Sequence, residues 1–594
     1  MPPRPPVAAT QTGDAGLVAA GVRLADAPPA PTWWHEAVFY QIYPRSFADG
    51  NGDGIGDFVG MTARLDYLAD LGIDALWISP HYPSPLRDLG YDISDYLTVD
   101  PQYGSLDDFR GFLDGAHARG IRVILDLVLN HTSDQHPWFA ESRLSATNTK
   151  RDWYLWRDGR DGGPPNNWMS QFGGSAWQLD PATGQYYYHA FLVDQPDLNW
   201  RHPELREAMW QAVRFWLDLG VDGFRLDAIG NLFKAPELPD HVSARSVFEL
   251  WWAWQTATSD EERSATTAGL TELFRHQLDQ PEVHELMREL RRLVSAYPDR
   301  VLVGETDRVE FYGHDDELNL TFNFPLMQTD RLTASWIRRN QTRQWTELPP
   351  GAWPATTLGN HDTSRIRSRF SAGDDDLARA RLAAAVVLTL PGTPFLYYGE
   401  EIGMTDFLLE DVEQFRDAWG LWFHRSAEAE LGLSAPEALV ISSRFGRDKS
   451  RTPMQWTNAA NAGFSPEGAA TWLPTNPNHR SGVNVAEQLT DAGSLLRFYR
   501  RLLRVRRRTP ALRRGDLTML VGSDDVLAFV RRSLPDHQAC LVVLNLSDRP
   551  QRLRLDVGTD ALDTLFSTRS QRGVIERPTD LRMAAHEIYI AELE

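Results

Sequence analysis

The chain has 594 residues, 42% of them hydrophobic and 24% charged, a composition that can bury a large core and is far from that of a disordered protein. Its 60 Lys and Arg against 81 Asp and Glu leave a net charge of −21, which argues against nucleic acid or an anionic membrane surface as a partner. The single cysteine, Cys540, excludes an intramolecular disulfide and any paired-thiol redox motif.

Residues 1–32 begin Met1-Pro2-Pro3-Arg4-Pro5-Pro6 and include Pro28-Pro29-Ala30-Pro31; such a Pro- and Ala-rich stretch reads as a flexible extension. It lacks the apolar core of a signal peptide, and no run in the chain approaches the roughly 18 apolar residues of a membrane span, so the expected location is cytoplasmic. From Trp33 onward short apolar strands alternate with amphipathic helices. The strands are predicted at Val38–Tyr43, Ala75–Ser79, Val123–Val128, Gly223–Asp227, Val301–Glu305, Leu318–Asn323, Ala355–Asn360 and Phe395–Tyr398, and helices between them at Phe109–Arg119, Leu205–Leu219 and Val283–Ala296. Eight apolar strands in βα alternation point to an α/β fold of the closed (β/α)8 TIM-barrel type rather than an open sheet.

Two connections exceed ordinary loop length. Residues 130–200, with Tyr186-Tyr187-Tyr188, read as a small inserted domain after the third strand, which leaves 33–129 and 201–511 for the barrel. An insertion at about 232–282 after the fourth strand reads as helical and polar. Residues 512–594, with alternating runs such as Val526-Leu527-Ala528-Phe529-Val530, read as a C-terminal antiparallel β domain. Cys540, in the strand-like run Ala539 to Val543, reads as a buried structural thiol.

The fourth strand carries the first chemical signal, Gly223-Phe224-Arg225-Leu226-Asp227. Alternation puts Arg225 and Asp227 on one side of the strand, where unpaired charges are costly to bury. In a barrel the C-terminal strand ends converge on one cavity. Asp227, Glu305 in Leu302-Val303-Gly304-Glu305, and Asp362 in Asn360-His361-Asp362 would meet there, together with Asp126 and His131 of Asp126-Leu127-Val128-Leu129-Asn130-His131. A lone aspartate at a strand end is usually a cap or turn residue; their joint occurrence argues for a site.

These four motifs, in this order, resemble those of the α-amylase superfamily. Gln195-Pro196-Asp197-Leu198-Asn199 and Arg451-Thr452-Pro453-Met454-Gln455-Trp456 look like signatures of its α-glucosidase and oligo-1,6-glucosidase branch. The resemblance runs from about Trp33 to the C-terminus and leaves the N-terminal extension and the 232–282 insertion unexplained. It implies a retaining glycosidase with Asp227 as nucleophile, Glu305 as general acid and then base, and Asp362 on the sugar hydroxyls; two carboxyls about 5 Å apart are what retention requires. Arg225 is expected to keep Asp227 ionised, and His131 and His361 to bind hydroxyls; with no third ligand at suitable spacing, zinc is discounted. Asp92, in Gly90-Tyr91-Asp92, and Arg447, in Phe445-Gly446-Arg447, are expected to close the non-reducing end as an ion pair, giving exo action.

Asp49-Gly50-Asn51-Gly52-Asp53-Gly54-Ile55-Gly56-Asp57 sets oxygen side chains at alternate positions, like the first part of a calcium loop, but Gly60 stands where an EF-hand needs glutamate. The resemblance implies a structural Ca²⁺ or Mg²⁺ on Asp49, Asn51, Asp53, the Ile55 carbonyl and Asp57, and no organic cofactor. Small α-glucosides are the implied substrates, with no nucleic acid or membrane partner, and the oligomeric state is left open. The leading reading is an exo-acting α-glucosidase with some transglucosylation. Ala228 follows the nucleophile; relatives favouring α-1,6 linkages tend to carry Val there, so the smaller side chain points to α-1,4 preference. The alternatives are an oligo-1,6-glucosidase, or a trehalose synthase or other glucosyl-transferring isomerase, which Pro85-Leu86-Arg87-Asp88 and Ser133 to Phe139 also resemble. A polymer-cutting amylase is disfavoured by the branch, and a catalytically silent transporter-associated homologue is disfavoured by the intact acids.

Overall fold

The strands that form the barrel are runs of four to seven residues, or isolated two-residue pairs, whose side chains are buried on both faces, the pattern of a parallel sheet covered by helices. In the computed structural model, which describes residues 22–26, 28, 31–371, 373, 376–520, 522–554, 557–559, 561–569, 573–576 and 580–593, they lie at Phe39–Ile42, Ala75–Ile78, Arg122–Val128, Gly223–Asp227, Val301–Gly304, Leu320–Thr321, Ala355–Thr356 and Thr393–Tyr397. Taken in chain order, strands one to six are successive parallel neighbours, the eighth pairs with the first and the seventh with the eighth. A parallel bridge from Phe322 to Ala355 joins the sixth to the seventh and closes the barrel.

All eight predicted strands are present, and the predicted helices occur at Leu106–Ala118, Pro203–Asp218 and Glu282–Ser295. Local signals fix their ends: Ser105 accepts from the Asp108 amide while Asp108 reaches back to Ser105, a capping box. Glycine is required at the head of the fourth strand, where Gly223 has φ +149 and a Cβ would lie 2.1 Å from the Val301 carbonyl oxygen. That close approach sets the register in which Arg225 faces Asp126 on one side and Val303 on the other.

Within residues 130–200 three short antiparallel strands, Trp156–Arg157, Trp177–Leu179 and Tyr186–Tyr188, form their own sheet. The C-terminal sheet has seven strands among the described residues. One of them corrects the expectation of a flexible extension: Val22–Ala25 pairs antiparallel with Leu517–Met519 at its edge. The physical reason is an otherwise open strand edge, onto which Ala25 is buried while Arg23 reaches Asp516 at 3.3 Å. Residues 1–21 lie outside the described residues.

The insertion after the fourth strand is helical, at Val247–Thr256 and Asp260–Phe274, but it is not polar throughout. Its first helix, VFELWWAWQT, buries Val247, Phe248 and Leu250 against Trp422, Phe423, Ala427 and Ala438. Cys540 is buried in the C-terminal sheet, and burial pushes its thiol up to about 12. Among the described residues no helix is long and apolar enough to cross a membrane.

Candidate active site

Arg225 and Asp227 do point to the same side of the fourth strand, into the barrel's C-terminal mouth. Arg225, 1% exposed, lays its guanidinium 5.1 Å from the Trp77 ring centre and serves three carboxylates. Its Nη1 donates to Asp126 Oδ1 and to Asp227 Oδ1, each at 2.7 Å, and its Nη2 reaches Glu305 Oε1 at 2.6 Å. The other Glu305 oxygen accepts from the Ala228 amide at 2.9 Å. Asp126 is further held by Trp77 Nε1 and the Tyr91 hydroxyl, both at 3.1 Å.

Arg225 lowers the Asp227 carboxyl, as a neighbouring cation is expected to, but it is shared among three acids. Burial and then the neighbouring Glu305 push Asp227 well above the ordinary carboxyl range, and Arg225 only partly offsets them. Burial likewise pushes Asp126 up to about 6 against Arg225. Protons on such a cluster belong to the coupled set rather than to one residue.

Asp362 lies in a different field. Burial alone would raise it, but His361, Arg447 and Arg451 reverse the sign and hold its carboxyl well below the usual range. Burial pushes His361 down to about 3, so at neutral pH the imidazole is uncharged and the guanidiniums carry the effect. Arg451 Nη2 is 2.6 Å and Arg447 Nη1 3.4 Å from Asp362 Oδ1. The imidazole is oriented by Gln41 Nε2, 2.7 Å from Nδ1, and by the Tyr91 hydroxyl, 2.7 Å from Nε2.

Arg447 is at the site, but its partner is not Asp92. Its Nη2 contacts Asp88 Oδ1 at 3.0 Å and Asp417 Oδ1 at 2.6 Å. Asp92 is buried beneath the same loop and accepts from the Ser84 hydroxyl at 2.7 Å and from the Arg87 and Asp88 amides at 2.8 and 3.1 Å. It is a loop-fixing residue: three residues of turn separate it from Asp88, and the turn folds back so that Asp92 caps the amide of the residue that meets Arg447.

His131 joins this wall through Gln195, whose Nε2 lies 3.0 Å from His131 Nε2 and donates to Asp88 Oδ2 at 3.1 Å. Burial pushes His131 down to about 4, leaving a neutral hydrogen-bonding group. Asp197 of the same signature instead pairs with buried Lys234, which also donates to Asn130 Oδ1 at 3.0 Å. Sequence reasoning did not assign Asp88, Tyr91, Gln195, Asp417 or Arg451 individually. Four of them stood inside quoted motifs; Asp417, the cap of helix Ala418–Leu431, gave no signal beyond an ordinary N-cap.

The proposed cation loop folds as a tight turn. Asp49 accepts from the Gly52 and Gly54 amides at 2.5 and 2.8 Å, and Asn51 and Asp53 from the Asp53 and Ile55 amides at 2.9 and 2.8 Å. Gly54 has φ +92, and a Cβ there would lie 2.0 Å from the Ala470 carbonyl oxygen. An all-oxygen set of Asp49, Asn51, Asp53 and the Ile55 carbonyl suits a hard cation. Asp57 is the member most engaged elsewhere, capping helix Phe58–Thr62 through the Gly60 amide at 2.6 Å and taking the Gly50 and Asn51 amides at 3.0 Å. Among the described residues no group of three or more His, Cys, Asp or Glu side chains is placed to hold a metal ion, so a cation at this loop would depend on amide and carbonyl oxygens as well.

With this geometry in hand, comparison with known proteins is direct: the model of the alpha-amylase catalytic domain matches residues 41–515. The chain belongs to the α-amylase family. An oligo-1,6-glucosidase of Parageobacillus thermoglucosidasius is 40% identical over 543 residues, 88% of this chain and 92% of that one. An α-glucosidase of Pediococcus pentosaceus is 40% identical over 523 residues, 84% and 89% of the two chains. Among solved structures, the trehalulose synthase MutB from Pseudomonas mesoacidophila MX-45 matches with a TM-score of 0.84 at 37% identity, covering 95% of this chain and 100% of that one. This α-amylase family member is thus a glycoside hydrolase of the α-glucosidase and oligo-1,6-glucosidase branch.

Proposed function

We propose that the enzyme is an exo-acting, retaining α-glucosidase that releases terminal glucose from short α-glucosides, prefers α-1,4 to α-1,6 linkages, and transfers some glucose to acceptors other than water. The observation that carries this reading is the attachment of Asp227 and Glu305 to adjacent nitrogens of Arg225. Two carboxyls so held are close neighbours, and retention uses a separation of about 5 Å, whereas inversion needs roughly 6.5–9.5 Å to admit a water. Asp227 attacks the anomeric carbon while Glu305 gives its proton to the glycosidic oxygen. Glu305, now a carboxylate, takes a proton from the incoming water or acceptor hydroxyl, which releases the sugar from Asp227.

The ion-paired set of Asp88, Arg447, Asp362 and Asp417 supports exo action: fixed charges on one side of the site are able to hold the hydroxyls of a terminal ring. The oligo-1,6-glucosidase and glucosyl-transferring isomerase readings are the main competitors, since one relative is named an oligo-1,6-glucosidase and one similar structure is a trehalulose synthase. Incubation with maltose, isomaltose, sucrose and trehalose, followed by chromatography, tests the proposal. Glucose released with retained configuration, faster from maltose than from isomaltose, is the expected result; isomerised disaccharide as the main product overturns it.

A further inference from the structure

The opposite end of the barrel holds a second cavity, away from the strand ends that carry Asp227 and Glu305. It measures about 240 Å³ and lies where Val38, Asp74 and Arg122 lead into the first three strands. The last turns of helix Leu495–Arg508 form one wall with Leu503, Arg506 and Arg507, and Arg513 of helix Pro510–Arg514 forms another. Four guanidiniums and two carboxylates, Glu36 and Asp74, line this small space.

Both carboxylates are already taken. Glu36 meets Arg513 and Arg514, one oxygen each, at 2.7 Å, and Asp74 accepts from Arg507 at 2.7 Å and from the Val38 amide at 3.0 Å. Arg122 lies 4.7 Å from the Trp33 ring centre and shares Asp222 with His117 and Arg300. Arg506 is different. It is 1% exposed, donates to the Leu388, Leu512 and Gly392 carbonyls, and among the described residues forms no ion pair with a carboxylate. Those carbonyls explain where the side chain sits, but they carry no net charge to balance it. Burial pulls its pKa down to about 10, with Arg513 adding to the fall and Asp74 and Glu36 opposing it. Arg531, also buried, is likewise held by the Asp516, Thr389 and Gly515 carbonyls; burial pulls it down to about 9, and Arg506 adds to that fall. A buried charge without a counter-ion is costly, and this surplus of positive charge stands in a chain whose net charge is −21.

We propose that this cavity binds a small tetrahedral oxyanion of the phosphate class between Arg122, Arg507 and Arg513, with buried Arg506 behind it contributing charge rather than a hydrogen bond. The three contacting arginines each keep part of their surface open, and the planar fork of a guanidinium suits two oxygens of one anion. Size selects the free anion over a larger ester, because the space falls below the roughly 300–1,000 Å³ of sites for bulkier organic ligands. In barrels of this kind the N-terminal face serves stability and the other face chemistry. The anion is therefore a stabilising ligand that leaves turnover unchanged.

The test is calorimetric titration of the full-length enzyme with inorganic phosphate at an ionic strength held constant with sodium chloride, paired with melting curves in the same solutions. Saturable binding and a melting temperature that rises with phosphate but not with chloride are expected. Arg507→Gln and Arg122→Gln should each weaken binding by about ten- to a hundredfold, the weight of a hydrogen bond to a charged group, while Arg507→Lys, which keeps the charge, should lose less. Arg504→Gln, on the exposed side of the same helix and outside the cavity, should bind as the parent does. No saturable binding by the parent, or equal weakening in Arg504→Gln, would overturn the site. So would competition between phosphate and 4-nitrophenyl α-glucoside for the enzyme, which would place the anion at Arg447 instead.

Discussion

Arg447 reaches Asp88 Oδ1 at 3.0 Å, and the same Nη2 lies 2.6 Å from Asp417. The pairing separates two aspartates four positions apart by role: Asp88 faces the pocket wall, while Asp92 holds the turn that presents it. Asp88→Asn is expected to cut kcat/KM for maltose by roughly 10- to 100-fold, because a hydrogen bond to a charged partner is worth about 1.5–3 kcal/mol. Asp92→Asn should lower the thermal midpoint and change kcat/KM less. Kinetics and melting of the two variants side by side check this; a larger kinetic loss in Asp92→Asn would reverse the assignment.

Asp227→Asn and Glu305→Gln preserve shape while removing the nucleophile and the proton donor. Each should lower hydrolysis of maltose by at least about a thousandfold, since acid–base catalysis alone contributes roughly 10²–10⁴. Glu305→Gln should be less impaired on 4-nitrophenyl than on methyl α-glucoside, since a nitrophenolate departs without protonation. A variant of either residue keeping a tenth of the activity would contradict its catalytic role.

The barrel was legible because its strands are apolar on both faces and separated by helices of clear period. The acids were legible because each ends a strand, at Asp227 and Glu305, or follows one closely, at Asp362. The Asp88–Arg447 contact was not, because it depends on how the loop between Pro83 and Ser94 folds back, and alternation or spacing carries no information about a turn in which Leu86 and Leu89 adopt positive φ. The electrostatic state of Asp227 was hidden for a related reason. Arg225 is visible in the sequence as its neighbour, but its sharing with Asp126 and Glu305 is a product of strand register. Val22–Ala25 was missed because four residues in a proline-rich stretch give no period, and their strand is chosen by the edge they cover.

Glu400, buried behind the Asn360–Asp362 turn, gives a pH signature of stability. Burial pushes its carboxyl up to about 8, with Arg365 opposing and Glu401 adding to the rise. A carboxyl raised in the folded state binds its proton there while the unfolded chain, with a value near 4.5, has lost it. Stability therefore falls as pH rises from about 4.5 to about 8, and the full cost stands above that window. Glu400→Gln removes the titration, so its stability relative to the parent should grow with pH across the window, by at most about 5 kcal/mol at 1.36 kcal/mol per unit. Urea denaturation at pH 5.5, 7.0 and 8.5 measures this; parallel pH curves for the two proteins would refute it.

We also propose that the loop Asp49–Asp57 holds Ca²⁺ or Mg²⁺ in a structural role. Its readout is stability rather than turnover: Ca²⁺ added to chelator-treated enzyme should raise the melting temperature saturably, since a ligand that binds only the folded state stabilises it by mass action. Asp49→Ala and Asp53→Ala should abolish that increment. An identical melting temperature with and without cation would remove the proposal and leave the loop as an Asp/Gly turn held by its own amides.

Ala228 sits in the left-handed region, at φ 45 and ψ 39, and in that conformation its amide points at Glu305. An L-residue pays roughly 1–2 kcal/mol for such a backbone, and a β-branched residue tolerates it least. Two consequences separate backbone from side chain. Ala228→Gly relieves the conformation and should leave the Glu305 contact and the maltose-to-isomaltose ratio close to the parent. On the proposed function, Ala228→Val adds bulk on the leaving-group side of Glu305, where an α-1,4-linked ring, held through a secondary oxygen, has less freedom to move aside than an α-1,6-linked ring on an extra rotatable bond. The valine variant should therefore melt earlier and shift the kcat/KM ratio toward isomaltose by about tenfold, the low end of what one or two methyl groups discriminate. If the parent enzyme already cleaves isomaltose faster than maltose, the steric argument fails and an α-1,6 specificity takes its place.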